Sequence, residues 1–228
     1  MSHRVLLVDD DTEFVELLRD YLEKDEYSVV TARDGMEGYA AAISGLVDIV
    51  VLDVMMPGIS GAVVLAKIRA TSNIPVLMLT ARGDDADRIA GFDLGADDYV
   101  PKPASAREIS ARLSAILKRA GTVVPAIGQA ITIGPLTIWP AQRRIEREGQ
   151  TLTLTSTEYN LVELLVRKAG HPVTKMELSQ EGLGRPLSRY DRSVDVHMSN
   201  IRHKLGVLSD GRSLVQTVIR KGYQLIVE

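Results

Sequence analysis

Residues 6–11 read LLVDDD, an apolar run that ends in three adjacent carboxylates. Like charges held together in a folded chain raise one another's pKa unless a cation or hydrogen-bond donors offset them. Either the three face water, or some of them hold a metal ion. The apolar half of the stretch decides the frame around them. It belongs to VLLV (5–8), the first of a series of short apolar runs that continues with YSVVTA (27–32), DIVVLD (48–53), IPVLMLT (74–80) and DYV (98–100). Amphipathic stretches such as FVELLRDYLEK (14–24) and REISARLSAILKR (107–119) lie between them. Strands apolar on both faces, alternating with helices, describe a parallel sheet covered on both sides. The expectation is a doubly wound α/β domain with five parallel strands and five helices.

At 228 residues the chain exceeds a usual domain of about 100 to 150 residues, so two domains are expected. The segment AGTVVPAIGQA (120–130) is small, uncharged and contains Gly and Pro, and reads as a linker between a domain at 1–119 and another at 131–228. Charge divides at the same place. Residues 1–119 carry 13 Lys and Arg against 20 Asp and Glu, a balance of -7, whereas residues 120–228 carry 14 against 10, a balance of +4. The basic half is the one suited to a polyanion. Cysteine is absent, which excludes disulfides and thiolate metal sites and fits a reducing compartment. No apolar run approaches the roughly 18 residues that span a bilayer, and the N-terminal stretch lacks a signal-peptide core. A cytoplasmic protein with no membrane partner is expected.

In an open parallel sheet, ligands bind outside the carboxyl ends of the strands, near the point where strand order reverses. The residues at those ends are Asp9, Asp10 and Asp11 after strand one, Asp53 after strand three, Thr80 after strand four and Lys102 after strand five. A hard cation such as Mg²⁺ takes oxygen ligands and keeps several waters, so two or three carboxylates and a carbonyl suffice. Asp53 can then attack a phosphoryl group while the metal and Lys102 neutralise charge on the transferred oxygens. Thr80 offers a hydroxyl to the product, and the small Ala81 beside it leaves room.

The second half reads as an antiparallel meander, ITI, LTIW, RRIER and QTLTL, with turns at 134–135 and 148–149. Helices follow. TSTEYNLVELLVRKAG opens with a capping-box spacing from Thr155 to Glu158 and ends on Gly170, and Thr174 to Glu177 opens another. In DRSVDVHMSNIRHKLG (191–206), Val194, Met198, Ile201 and Leu205 form one apolar stripe, while Arg192, Val196, Ser199, Asn200 and His203 fall opposite. Asn can pair bidentately with adenine and Val can touch a thymine methyl in the major groove. With His197 and Arg202, these are the expected DNA contacts of a recognition helix. QTVIRKGYQLIV (216–227) then reads as a hairpin whose basic tip places Arg220 or Lys221 at a minor groove. The order describes a winged helix-turn-helix (α+β) domain for double-stranded DNA.

LLVDDD, DIVVLDVMMPGISG and LTARGDDADRIAGFDLGADDYVPKP, within residues 4–119, resemble the receiver domain of bacterial two-component response regulators. The resemblance implies that a sensor histidine kinase donates the phosphoryl group of its phosphohistidine to Asp53. It implies a Mg²⁺ site of Asp9, Asp10, Asp53 and the main-chain carbonyl of Met55. Thr80 becomes the switch hydroxyl, Tyr99 the switch aromatic and Lys102 the phosphoryl contact, with a cis Lys102–Pro103 bond. Asp11 is left to cap the helix that begins near Thr12. One departure is Ala104, where the family usually has an aromatic. Arg88, Asp97, Asp98, Glu108 and Arg112 resemble a charged dimer face. Met55 and Arg82 flank the path of attacking water, and neither can orient it, so a long-lived phosphoryl group is expected.

Residues 131–228 resemble the OmpR/PhoB class, and LSQEGLGRPLSRYDRSVDVHMSNIRHKLG and VIRKGYQLIV are most like its envelope-stress branch. That resemblance implies a homodimer formed on phosphorylation, tandem DNA half-sites, and a loop at 184–191 that contacts RNA polymerase. The implied protein is no enzyme beyond catalysing its own phosphoryl transfer. A haloacid-dehalogenase-like phosphatase also uses a strand-end Asp, but places a second acid two residues on, where this chain has Met55. An output that binds RNA or only protein fits the order of sheet, helix and wing poorly.

Overall fold

The computed structural model describes residues 2–81, 94–121, 130–188 and 191–227. The chain divides into two compact units, Met1–Leu117 and Lys118–Glu228. In the first, β1 (Arg4–Val8), β2 (Ser28–Ala32), β3 (Ile49–Asp53), β4 (Val76–Ala81) and β5 (Asp98–Lys102) form a parallel sheet in the order β2-β1-β3-β4-β5. The order reverses between β1 and β3, so their carboxyl ends flank the crevice where ligands of such sheets bind. The helices are α1 (Thr12–Lys24), α2 (Gly35–Ile43), α3 (Gly61–Arg69) and α4 (Ala106–Gly121). A helix expected between β4 and β5 falls at residues outside those described.

Side chains alternate across the strands. Val5, Leu7, Ile49, Val51, Leu77, Leu79 and Val100 pack with α1 and α4 through Leu18, Leu22, Ile109 and Leu113. The alternate residues Leu6, Val50, Leu52 and Met78 are buried as well. On their side Gly38 of α2 lies so near Val8 that a Cβ would come within 2.5 Å of it. Two buried faces explain why these strands carry no polar alternation. The helix α4 continues to Gly121, so the first residues of the expected linker extend a helix; residues 122–129 are not described.

The second unit opens with the meander β6 (Ile131–Ile133), β7 (Leu136–Trp139), β8 (Arg144–Arg147) and β9 (Gln150–Thr151). QTLTL supplies only two strand residues, because Leu152 and Leu154 turn onto the core. Both capping boxes form, at the start of α5 (Ser156–Arg167) and of α6 (Lys175–Glu177). The short α6 widens into a π turn at Leu178–Gly182. Then come α7 (Ser193–Leu205) and the antiparallel hairpin of β10 (Val215–Val218) and β11 (Gly222–Leu225). Val194, Met198, Ile201 and Leu205 of α7 enter one core with Leu161, Leu165, Leu214 and Tyr223. Among the described residues no helix is long and apolar enough to cross a membrane.

Candidate functional site

The strand ends assemble the acidic site. Carboxylate oxygens of Asp9, Asp10 and Asp53 all lie within 4.8 Å of one another. Asp9 and Asp53 are buried and Asp10 is exposed. Lys102 reaches in from β5, its Nζ donating to Asp9 Oδ2 at 2.7 Å and lying 3.2 Å from Asp53 Oδ1. Burial pushes the Asp53 carboxyl up, Lys102 pulls it down and Asp9 raises it again; the result is above the ordinary carboxylate range. Burial alone would lower Lys102, but its hydrogen bond to Asp9 and the charges of Asp53 and Asp9 outweigh that and raise it. The donor set is all oxygen and carries three potential negative charges against one lysine, which suits a hard divalent cation. Asp11 lies beside the site, its N–H donating to Asp9 Oδ1 at 3.0 Å, while its own Oδ1 accepts from Phe14 N at 3.0 Å and caps α1.

Thr80 and Tyr99 are both buried, on the adjacent strands β4 and β5. The Thr80 hydroxyl has no hydrogen-bond partner among the described residues. Met55 is 66% exposed beside Asp53. The Lys102–Pro103 bond is cis. At Ala104 the chain packs against the α1/α4 side of the core, and Lys102 Nζ lies 5.0 Å from the centroid of the Phe14 ring. A cavity of about 500 Å³ opens there, lined by Asp11, Phe14, Asp53, Met55, Lys102, Pro103 and Ala104. Side-chain placement of Ala81, and everything at Arg82 and Arg88, lies outside the described residues.

Gly61 escaped the sequence reading. At the start of α3 a Cβ there would sit 2.0 Å from the Asp53 carbonyl oxygen, so only glycine lets the helix begin against the end of β3. The charged set read as a dimer face needs correction at Asp97. That residue is fully buried and accepts from Arg69 at 3.1 Å and from Val76 N at 2.9 Å, which pins the loop before β5 to β4. Asp98, Arg112 and Glu108 form a connected pair of contacts at 2.8 and 2.9 Å. Both aspartates are buried, Asp98 at 3% exposure, and a buried carboxylate needs such partners, which sequence spacing does not mark.

In the second unit the outward side of α7 presents Arg192, Ser199 and His203 exposed and Asn200 half-buried. Val196 and His197 do not join them. They are 8% and 1% exposed; the helical count, which treats the helix in isolation, puts Val196 on the outward face, and His197 stands among the expected contacts. Arg202 is also redirected: its guanidinium donates to Val215 O at 2.8 Å and Thr217 Oγ1 at 2.6 Å and lies over the Tyr223 ring. It is a strut between α7 and the hairpin. Arg220 is exposed at the hairpin tip, as expected.

Other struts hold the same helix. Lys204 pairs with the buried Glu158 at 2.6 Å. Arg147 donates to the carbonyls of Leu205 and Val207, where the helix leaves its last carbonyls unmatched. Lys175 and the Tyr223 hydroxyl converge on Asp195 at 2.7 and 2.5 Å. At the N-terminal end Arg185 clasps Asp191 and Ser193 Oγ, and Asp191 accepts from Ser193 N at 2.9 Å. Residues 189 and 190 of the loop at 184–191 are not described.

Comparison with known proteins follows the same division. The family "Response regulator receiver domain" matches residues 5–114. The family "Transcriptional regulatory protein, C terminal" matches residues 149–225. The chain is 41% identical over 229 residues to the transcriptional regulatory protein CpxR of Klebsiella pneumoniae, with 98% of each chain covered. It is 40% identical to a CpxR homolog of Haemophilus influenzae, over 98% of this chain and 99% of that one. Among solved structures, the response regulator DrrB of Thermotoga maritima, an OmpR/PhoB homolog, aligns at TM-score 0.53 and 27% identity over 99% of this chain and all of its own. A RitR mutant aligns at TM-score 0.78 and 22% identity, over 98% of this chain and 99% of its own, a likeness of fold.

Proposed function

The chain belongs to the OmpR/PhoB family of two-component response regulators and is a phosphorylation-dependent regulator of transcription; from that premise we propose that Asp53 is the residue phosphorylated. The observation that carries this is Lys102 Nζ at 2.7 Å from Asp9 and 3.2 Å from Asp53, at the mouth of a cavity about 500 Å³ in volume. In the reaction the ionised carboxylate of Asp53 attacks phosphorus, the N–P bond of a kinase phosphohistidine breaks and an O–P bond forms. Mg²⁺ would be held by Asp9, Asp10, Asp53 and the Met55 carbonyl, and when bound supplies positive charge beside the transferred oxygens. Lys102 holds Asp53 ionised and takes a phosphoryl oxygen. Thr80, whose buried hydroxyl gains an acceptor, draws the β4 end towards the phosphoryl group, and Tyr99 follows on β5. Met55 carries no group that orients water, so the phosphoryl group is long-lived.

The output is a homodimer on tandem half-sites of double-stranded DNA. Arg192, Ser199, Asn200 and His203 of α7 meet the major groove, and Arg220 meets the backbone or minor groove. The loop at 184–191 contacts RNA polymerase. The protein works in the cytoplasm and catalyses only its own phosphorylation. The test is intact-mass measurement after treatment with a small phosphodonor and Mg²⁺, paired with titration against duplex DNA and RNA of equal length. Mass gain in the wild type and none in Asp53→Asn, with DNA preferred, supports the proposal. Equal mass gain in both, or equal affinity for RNA, overturns it.

A further inference from the structure

The hairpin that follows the recognition helix ends in Ile219, Arg220 and Lys221, and the first of these has no place in the contacts proposed above. Ile219 is 83% exposed, more than any other large apolar side chain among the described residues. The turn holding it is closed by Lys221 N donating to Val218 O at 2.9 Å. Ile219 and Arg220 are therefore its two central residues. Arg220 has φ 61, the left-handed conformation that a turn of this kind reserves for glycine or asparagine. A β-branched apolar residue standing in water beside an arginine in a glycine position breaks two local rules at once. Such breaks gather at binding sites, where a contact elsewhere repays them.

The base of the hairpin is built to hold that tip still. Gly222 lies so close to Val173 that a Cβ would sit 2.0 Å from its carbonyl oxygen. Val173 and Tyr223 exchange hydrogen bonds at 2.7 and 2.9 Å. Arg202 of α7 is bonded to Val215 and Thr217 of β10. The recognition helix and the hairpin are thus braced to one another through Arg202. Arg220 and Lys221 flank the isoleucine with charge complementary to phosphate.

We propose that Ile219 is an apolar wedge that enters the DNA minor groove beside the α7 site and partly unstacks one base step, with Arg220 and Lys221 on the flanking phosphates. The inference rests on the DNA-binding reading above and adds a specificity element to it. Apolar side chains used in this way part base steps and bend the duplex. Pyrimidine–purine steps part most readily, so the wedge selects a TA or CA step at a position the helix does not touch. A contact of the tip with RNA polymerase or a second copy of the chain would leave the DNA stack intact.

The experiment uses the full chain with a small phosphodonor and a duplex selected by the wild type from random sequence. 2-Aminopurine is scanned through the bases on the hairpin side. Emission should rise at one step with the wild type, stay flat with Ile219→Ala and Ile219→Ser, and rise again with Ile219→Met. Affinity should fall about tenfold in the Ala variant, the loss expected for one buried aliphatic side chain. Replacing the step with a G·C-rich one should weaken the wild type and leave Ile219→Ala unchanged. No emission change at any step with the wild type bound, or equal affinity for wild type and Ile219→Ala, overturns the wedge while leaving the DNA reading intact. A wild type that selects no duplex overturns both. Trp139 emission checks that each variant is folded.

Discussion

The clasp of Arg185 on Asp191 offers a test in which the structure sets the magnitude. Asp191 is held at about 2 against an ordinary 3.8. Burial raises it, but the hydrogen bond and charge of Arg185, with the Ser193 hydroxyl and N–H, more than offset that. A gap of roughly 1.8 pH units corresponds to about 2.4 kcal/mol at about 1.36 kcal/mol per unit. Solvent reaches the Arg185 side, 15% exposed, so a discounted value of about 1–2 kcal/mol is expected. A depressed carboxyl stabilises fully above its ordinary range, and the contribution is lost as pH falls from about 4 towards about 2. Asp191→Asn should therefore cost about 2 kcal/mol at neutral pH, part of it from the arginine left behind, and the difference from wild type should close through that acid window. Trp139, the only tryptophan, lies in β7, so urea unfolding followed by its emission reports this unit within the full chain. Duplex affinity should fall too, because the carboxylate oxygen that ties Arg185 to the first turn of α7 is gone. If Arg185→Gln and Asp191→Asn add to within about 0.5 kcal/mol, or the deficit is independent of pH, the clasp is not an interacting pair.

Other outcomes follow from the same geometry. Asp53→Asn should show no mass gain with a phosphodonor and Mg²⁺, since an amide oxygen is a poor nucleophile. Gly61→Ala forces a Cβ against the Asp53 carbonyl and should cost about 1–3 kcal/mol by chemical denaturation, with a slower mass gain. Thr80→Val removes a buried hydroxyl that lacks a described partner; the unphosphorylated chain should be no less stable by thermal melting, and phosphorylation should no longer raise its DNA affinity. Asn200→Ala should cost about 1–3 kcal/mol at the selected site and relax one base position with the salt slope unchanged, whereas Arg220→Ala should flatten the slope by about one.

The parallel sheet and the acidic site were legible because each rests on local pattern. Unbroken apolar runs marked strands buried on both sides, and ligand chemistry in such sheets gathers at strand ends, where Asp9, Asp53 and Lys102 come together; Thr80 lies on β4 beside β5. Capping boxes were legible for the same reason. What was not legible depends on chain that returns from elsewhere. Periodicity put Val196 on the open side of α7, yet it is buried. Arg202 carries a positive charge in a basic region and reads as a phosphate contact until β10 is placed beside it. Arg69 and Asp97 lie 28 residues apart, and no spacing rule joins them. The reason for Gly61 is the Asp53 carbonyl at the end of β3, which only the fold brings against the start of α3.

The two units use buried carboxyls in opposite ways, and the direction of the pKa distinguishes them. In the DNA-binding unit Asp191 is driven down to about 2, because a guanidinium, a hydroxyl and a backbone N–H satisfy its charge. That carboxylate is at rest, and any change of protonation loosens the helix it holds. In the receiver unit Asp53 is driven up by burial and by the neighbouring Asp9, and the single lysine between them does not cancel the two. That carboxylate is left in deficit of positive charge. A divalent cation held by Asp9, Asp10 and Asp53 would supply the missing positive charge. In the proposed reaction the phosphoryl group would add negative charge beside Lys102, which already pairs with Asp9. Thr80, on the adjacent strand, holds a buried hydroxyl with no hydrogen-bond partner among the described residues. A switch requires an element that phosphorylation can bias between two arrangements, and in the proposed reading the unsatisfied charge around Asp53 is what the phosphoryl group acts on.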